Sequence, residues 1–435
     1  MSLYNLVSFA GIFILVGFAW LISSDRRNVN YRVIIWGISL QLLFGAFIFL
    51  LPAGAKVFLF INDIVVKVLG SASAGAEFLF GRLALPPGAR NAEGEESLGF
   101  FLAFQALPTI IFFSALMSIL YYTGVMPRVI KGFSSLFSRL MRVSGAESVS
   151  VASNIFVGIE SLLTIKPFLT QMTRSELCTV LTAGMATVSS NILALYIFSL
   201  KGEFPTIAAH LVSASVLSAP ASLVMSKILL PEDSVPETLG MKVEPYYEKE
   251  ASLFEAVIGG AESGVRLIAG IAALLVAVLG LVALLDLVTG GLGSYVNNFL
   301  GLNIDWSLKG LLGYLFYPFT LVIGVPLPDA YQISKIIGER AVVTEVVSYQ
   351  DLARVMKEGV ITDPRSPVIA AYALCGFAHV ASMAIFVGGA AALAPSRKRD
   401  IAAAGFRALV AATLACLMTA CIAGAFFAGK SALLG

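Results

Sequence analysis

Charge is what this sequence lacks most. Its 435 residues include 29 Lys and Arg and 27 Asp and Glu, 13% in all, about half the ~25% of ordinary soluble domains. The net charge of +2 leaves no basic surface of the kind that nucleic-acid binding needs. Histidine is nearly absent, with only His210 and His379. The four cysteines (Cys178, Cys375, Cys416, Cys421) stand in apolar runs with no CxxC spacing and no His/Cys cluster. They read as small core residues rather than disulfide partners or metal ligands. No nucleotide-binding glycine loop, zinc-binding helix or Ser/His/Asp order of a hydrolase occurs, and a membrane enzyme is the least expected class. No stretch is left for a soluble ATP-hydrolysing domain.

Apolar residues fill the space: 58% of the chain, with a mean hydropathy of +0.89. Nine runs are free of Asp, Glu, Lys and Arg: Ser2–Ser24, Val33–Ala55, Leu98–Pro127, Leu177–Leu200, Phe204–Ser226, Leu267–Leu285, Gly310–Pro328, Ser366–Ser396 and Ala408–Gly429. A helix needs ~20 such residues to cross ~30 Å of hydrocarbon. The expected class is an all-α integral membrane protein. The first run is too long for a signal-peptide core and has no Lys or Arg before it, so it reads as a retained span.

The basic loops orient the chain. Arg26, Arg27 and Arg32 follow the first span; Arg128, Lys131, Arg139 and Arg142 follow the third; Arg397, Lys398, Arg399 and Arg407 cluster near the C-terminus. Placing these loops in the cytoplasm puts both termini outside and demands an even number of crossings. Gly310–Pro328, with Pro318, Gly324, Pro326 and Pro328, is then an interfacial or half-crossing helix, and eight spans remain.

An acidic, proline-bearing linker at Pro231–Glu250 divides the chain into halves that echo each other. In the first, Lys131-Gly-Phe-Ser-Ser-Leu-Phe, Gly145-Ala-Glu147 and Glu160 precede two spans; in the second, Lys309-Gly-Leu-Leu-Gly-Tyr-Leu-Phe, Gly324, Asp329 and Glu345 do so. Each half begins with a span and has three crossings, so the second copy is inverted. Inverted repeats with short, interrupted apolar segments point to a secondary transporter with a midplane site. The divisions expected are 1–97 (two spans and an interfacial helix), 98–229 (first repeat), 230–264 (linker and amphipathic segment) and 265–435 (second repeat). Ser148–Ile159 and Ser161–Ile165, split by Glu160, and Tyr331–Leu352, containing Glu345, are too short to cross and read as two opposed re-entrant hairpins.

A carboxylate at bilayer depth is costly unless it is paired, hydrogen-bonded or protonated. Glu160 and Glu345 are therefore the leading site candidates, two acceptors aimed at one hydroxyl-rich solute. The alternative pairs them with Lys166, Arg174 or Arg340 as structural ion pairs. His379 and its neighbours Phe377 and Ser382 lie inside the longest uncharged run. His379 could bond solute, sense protons or be a satisfied buried imidazole, and Phe377 could be plain packing. His210 reads as structural. Asn154, the unwinding point at Gly158, and the notch Thr187-Val-Ser-Ser-Asn191 could supply the oxygens of a sodium site, or their hydroxyls could bond back to their own helices.

At Asn154-Ile-Phe-Val-Gly-Ile-Glu-Ser161, Lys166-Pro-Phe168, Met172-Thr-Arg-Ser-Glu-Leu177, Gly184-Met-Ala-Thr187, Gly324-Val-Pro326, Thr344-Glu-Val-Val-Ser-Tyr349 and Cys375-Gly-Phe-Ala378, the chain resembles the concentrative nucleoside transporters, ion-coupled nucleoside symporters. The likeness covers nearly the whole chain. It implies eight spans, two opposed hairpins in an inverted repeat and a homotrimer. It also implies nucleoside contacts from Glu160 and Glu345, and Phe377 and Ser382 at the ribose end. The implied sodium site is Asn154, the carbonyl of Val157, Thr187 and the carbonyl of Val188. Two departures fall in the implied pocket. Only Ile159 separates Gly158 from Glu160, where many bacterial relatives have two polar residues, and His379 stands where the family has asparagine. An amide offers donor and acceptor together, whereas a neutral imidazole divides them between opposite edges.

The function expected is sodium-coupled symport of a nucleoside or nucleoside-like polar solute in a bacterial inner membrane, without enzymatic activity. The alternatives are proton coupling through His379 or a glutamate, and a membrane binding or sensor protein that keeps the fold without transport.

Overall fold

The computed structural model describes residues 2–91, 94–247 and 250–429. Among these, all regular elements are helical, with one isolated bridge between Arg90 and Glu96. Three helices come first: α1 (Leu3–Leu21), α2 (Tyr31–Phe49) and α3 (Pro52–Phe80). Asn30 starts α2 by accepting from the N–H groups of Arg32 and Val33. Pro52 opens α3, where its missing N–H would have been unpaired in any case.

The rest of the chain is one pattern run twice. The first copy has α5 (Leu107–Tyr122), entered through the single turn α4 (Leu102–Gln105), then the amphipathic α6 (Val125–Met141). A hairpin follows, made of α7 (Gly145–Asn154) and a 3-10 helix at Ile159–Ile165, then a helix broken into α8 (Arg174–Ala186) and α9 (Ser190–Leu200), then α10 (Ile207–Leu229). The second copy runs α11 (Leu253–Leu300), α12 (Leu308–Val322), a hairpin of α13 (Leu327–Arg340) and α14 (Glu345–Lys357), a broken pair α15 (Arg365–Leu374) and α16 (Val380–Leu393), and α17 (Lys398–Phe426). The five-part order read from the sequence is thus present in the backbone.

Among the described residues, eight helical stretches are long and apolar enough to cross a membrane. The number agrees with the expectation, but the set differs in two places. Pro52–Leu83, expected to lie at the interface, qualifies by length and composition. The run Ser366–Ser396, expected as one span, is interrupted between Leu374 and Val380. At that break Gly376 sits so close to α17 that a Cβ would lie 2.3 Å from Cys416 Sγ. A new helix then starts at His379 through a reciprocal cap with Ser382. Gly310–Pro328 falls short of a span as expected: α12 has 15 residues, contains Pro318, and ends before Gly324, whose φ is +87°.

Packing separates an interior from a periphery. Between 78% and 89% of the apolar windows of α8–α9, α10 and α17 is buried, against 22% for the α3 stretch and 6% for α11. The interior helices bury Ser, Thr, Ala and Gly in long series, as close helix approach requires. Peripheral α11, 48 residues long, is about 70 Å at 1.5 Å per residue, more than twice the hydrocarbon thickness. It lies along α5 on a small-residue seam: a Cβ on Gly260 would meet Ala115 Cα at 2.8 Å, and one on Gly264 would meet Ile111 Cα at 2.7 Å. Its other faces expose Val276, Leu281, Leu287 and Phe299, an apolar surface suited to a bilayer.

Candidate functional site

Both hairpins and both broken helices meet in the interior. Helix α7 begins at Ser144, whose hydroxyl accepts from the Glu147 N–H at 3.2 Å. It ends at Asn154, and the backbone resumes as a tight 3-10 turn at Ile159. The gap lies against the break in α8–α9: the Ser190 N–H donates to the Phe156 carbonyl at 2.9 Å, and a Cβ on Gly158 would touch Ser189 Cβ at 3.3 Å. Two interruptions in helical backbone are thereby tied side by side.

Glu160 projects from this junction and is the exposed member of the site. It borders two spaces. One is a pocket of about 60 Å³ lined also by Gly158, Ile159, Thr187, Val188, Tyr196 and Phe377. The other, about 550 Å³, opens between the first hairpin, α5, the linker and the start of α11. The smaller has room for only a couple of waters at ~30 Å³ each; the larger is within the usual range for small-molecule sites.

Glu345 stands behind the smaller pocket, wholly buried at the start of α14. The Tyr196 hydroxyl, from the broken helix of the other repeat, donates to its Oε1, and the Tyr196 ring packs on Tyr349 with centroids 4.6 Å apart. His379 Nε2 lies 3.0 Å from Oε2. The approach is not aligned as a hydrogen bond, and neither atom has another hydrogen-bond partner. His379 Nδ1 accepts the Ser382 N–H at 3.2 Å. A neutral ring therefore carries its proton on Nε2, facing the carboxylate. The division between ring edges anticipated for an imidazole here is realised, one edge holding the helix start and the other facing Glu345.

The expected site residues fall into three groups. Glu160, Ile159, Phe377, Thr187 and Val188 share the wall of the smaller pocket. Glu345, His379 and Ser382 form the buried layer behind it. The Ser382 hydroxyl is engaged with the backbone, donating to the Phe377 and His379 carbonyls, the latter at 2.7 Å. Asn154 and Val157 sit at the first hairpin's break. Asn154 Oδ1 accepts from Ser161 Oγ at 2.9 Å, and Thr187 Oγ1 donates to the Ala183 carbonyl at 2.8 Å. The back-bonding anticipated for such hydroxyls is present, yet it uses only the proton and leaves oxygen lone pairs available to a cation. His210 is structural: its Nδ1 is 3.3 Å from the Tyr372 hydroxyl, with Phe49 and Phe204 around the ring.

The two arginines weighed as ion-pair partners are engaged elsewhere. Arg340 is buried like Glu345, but its Nη1 donates to the Ala373 carbonyl at 2.6 Å, capping the end of α15. Arg174 instead pairs with Asp400 at 3.5 Å. The second hairpin is further pinned by Asp329, which accepts from the N–H groups of Thr362 and Asp363 and from the hydroxyls of Thr362 and Ser366, at 2.6–3.0 Å. Tyr196 escaped the sequence reading because a tyrosine in an apolar span looks like packing. Its only signal was being the sole hydroxyl-bearing aromatic of the run Leu177–Leu200.

Three family profiles together cover most of the chain: "Na+ dependent nucleoside transporter N-terminus" at residues 10–83, "Nucleoside recognition" at 103–203, and "Na+ dependent nucleoside transporter C-terminus" at 210–424. Solute carrier family 28 member 3 of Mus musculus is 38% identical over a 434-residue alignment that covers 97% of this chain and 58% of that protein. The chain thus spans about three-fifths of the length of that relative. The nucleoside permease NupC of Helicobacter pylori is 34% identical over 98% of both chains. Among solved structures, CNTnw in an inward-facing substrate-bound state superposes with a TM-score of 0.88 at 34% identity, covering 99% of each chain.

Proposed function

The chain belongs to the family of Na+-dependent nucleoside transporters, and from that premise we propose that it moves a nucleoside or nucleoside-like polar solute together with sodium across a bacterial inner membrane by alternating access, as a homotrimer. The observation that carries this reading is Glu160 on the wall between two cavities, with Glu345 from the opposite repeat one layer behind it. A carboxylate offers about four lone-pair positions. The Tyr196 hydroxyl takes one position on Oε1 and orients the carboxylate, so Glu345 retains capacity for solute hydroxyls. Ile159 and Phe377 would cover the apolar faces of the solute, and Ser382 would hold the break in α15–α16 that presents Phe377.

Sodium would be taken by Asn154, Thr187 and the carbonyls of Val157 and Val188, neutral oxygens suited to a hard cation. Such an ion would join the first hairpin to the α8–α9 break, and the solute would meet a preformed wall. Near full-length correspondence with NupC of Helicobacter pylori supports the bacterial inner membrane, and the apolar faces of α3 and α11 suit lipid or neighbouring copies.

Sodium-driven uptake of labelled uridine or adenosine into proteoliposomes tests the reading; absence of uptake for both removes it. Glu345→Gln is expected to abolish uptake without altering the size-exclusion profile, and wild-type uptake in that variant refutes the role given to Glu345. A second reading, proton coupling, is favoured by His379 lying 3.0 Å from Glu345. Uptake that survives sodium removal but collapses with a protonophore would select it.

A further inference from the structure

The larger cavity carries two polar groups that nothing among the described residues satisfies. Asn191, in the first turn of α9, is 8% exposed, and its Oδ1 accepts no hydrogen bond. The Tyr121 hydroxyl, near the end of α5, is shielded from solvent and has no hydrogen-bond partner. Both line the 550 Å³ space that also holds Glu160. An unsatisfied buried polar group is expensive, and native proteins carry few. Other orphans lie outside this cavity: Glu345 Oε2 and His379 Nε2 face each other, and Gln41 and Gln105 already anchor themselves through their amide nitrogens. Asn191 and Tyr121 instead both line a cavity that Glu160 also borders. The cavity wall is mixed, with Ser114, Ser118, Lys166, Glu262 and Arg266 also in its lining; Asn191 and Tyr121 are the lining residues whose buried polar atoms lack a partner among the described residues.

The chemistry of the pair narrows the ligand. A side-chain amide presents an acceptor and a donor in one plane, and a phenol can give or take one proton. Together they match a flat edge that sets N–H beside C=O, as the heterocycle of a nucleoside does. They arise from separate parts of the fold, Asn191 from the interior broken helix and Tyr121 from peripheral α5. We propose that Asn191 and Tyr121 are specificity-determining residues that read the polar edge of the solute's heterocycle in the larger cavity, while the glutamates hold its hydroxyls. This inference rests on the nucleoside reading above.

The test compares uridine with a phenyl riboside, which keeps the sugar but has no polar edge, as competitors for binding to the full chain in liposomes. Wild type is expected to prefer uridine. Asn191→Ala and Tyr121→Phe should each reduce that preference about tenfold, the worth of one hydrogen bond, with phenyl riboside affinity unchanged. Melting temperatures should equal or exceed wild type, because among the described residues neither Asn191 Oδ1 nor the Tyr121 hydroxyl has a hydrogen-bond partner. A preference unmoved in both variants, or equal weakening of both ligands, overturns the assignment. If wild type binds neither riboside, the nucleoside reading itself fails and this inference with it.

Discussion

Replacing Lys227 with methionine tests how the first hairpin is anchored. Glu147, on α7, is 0% exposed, and among the described residues its ion-pair partner is Lys227 of α10, at 2.8 Å. Lys227 has more support: it also reaches Glu232 of the linker at 3.0 Å and Ser175 Oγ at 3.1 Å. The two single deletions are therefore unequal. Lys227→Met strands a buried carboxylate, at a cost of about 3–5 kcal/mol, roughly two to three and a half decades in the folded-to-unfolded ratio. Glu147→Gln leaves Lys227 paired with Glu232 and should cost about 1–2 kcal/mol, near the value of one charged hydrogen bond. The double variant removes both charges and should lie close to Glu147→Gln, since replacing a whole buried pair is often nearly neutral. Thermal unfolding in detergent, followed by loss of the size-exclusion peak, ranks the three. A melting temperature for Lys227→Met equal to or above that of Glu147→Gln refutes the reasoning, as does a double variant less stable than Lys227→Met.

Burial raises the pKa of the Asp329 carboxyl, but hydrogen bonds from Ser366, Thr362 and Asp363 outweigh it and leave it below the ordinary carboxylate value. The stabilisation is thus fully present above the unfolded value near pH ~4 and is lost as pH falls below it. Asp329→Asn should lower stability at neutral pH and flatten this acid limb, and an unchanged melting-versus-pH curve would contradict it. At Gly184 a Cβ would fall 2.2 Å from the ring of Phe386, which borders the smaller pocket. Gly184→Ala should cost about 1–3 kcal/mol of overpacking and weaken uptake, with partial recovery on adding Phe386→Leu; unimpaired uptake in Gly184→Ala alone would show that the ring moves freely.

The architecture was legible because membrane solvation leaves strong marks. Uncharged runs marked most of the spans, though not Pro52–Leu83, and the displaced copy of Lys131-Gly and Lys309-Gly patterns pointed to the repeat. Glu160 and Glu345 stood out because little other charge lies at that depth. Helix interruptions were harder. At the break before His379, Gly376 lies close against Cys416, a contact between residues forty positions apart that no local pattern encodes. The same limit hid Tyr196, whose meaning comes entirely from a carboxylate in the other half of the chain. Asn191 was visible as part of a polar notch, but only the cavity shows that its oxygen is unmatched.

The bond from Tyr196 to Glu345 reaches beyond binding. It crosses between the two halves: the acid of the second copy is steadied by the first, while the acid of the first shares its pocket with Phe377 of the second. Neither half encloses a complete site. A substitution in the interrupted helix of one half is therefore felt at the carboxylate of the other.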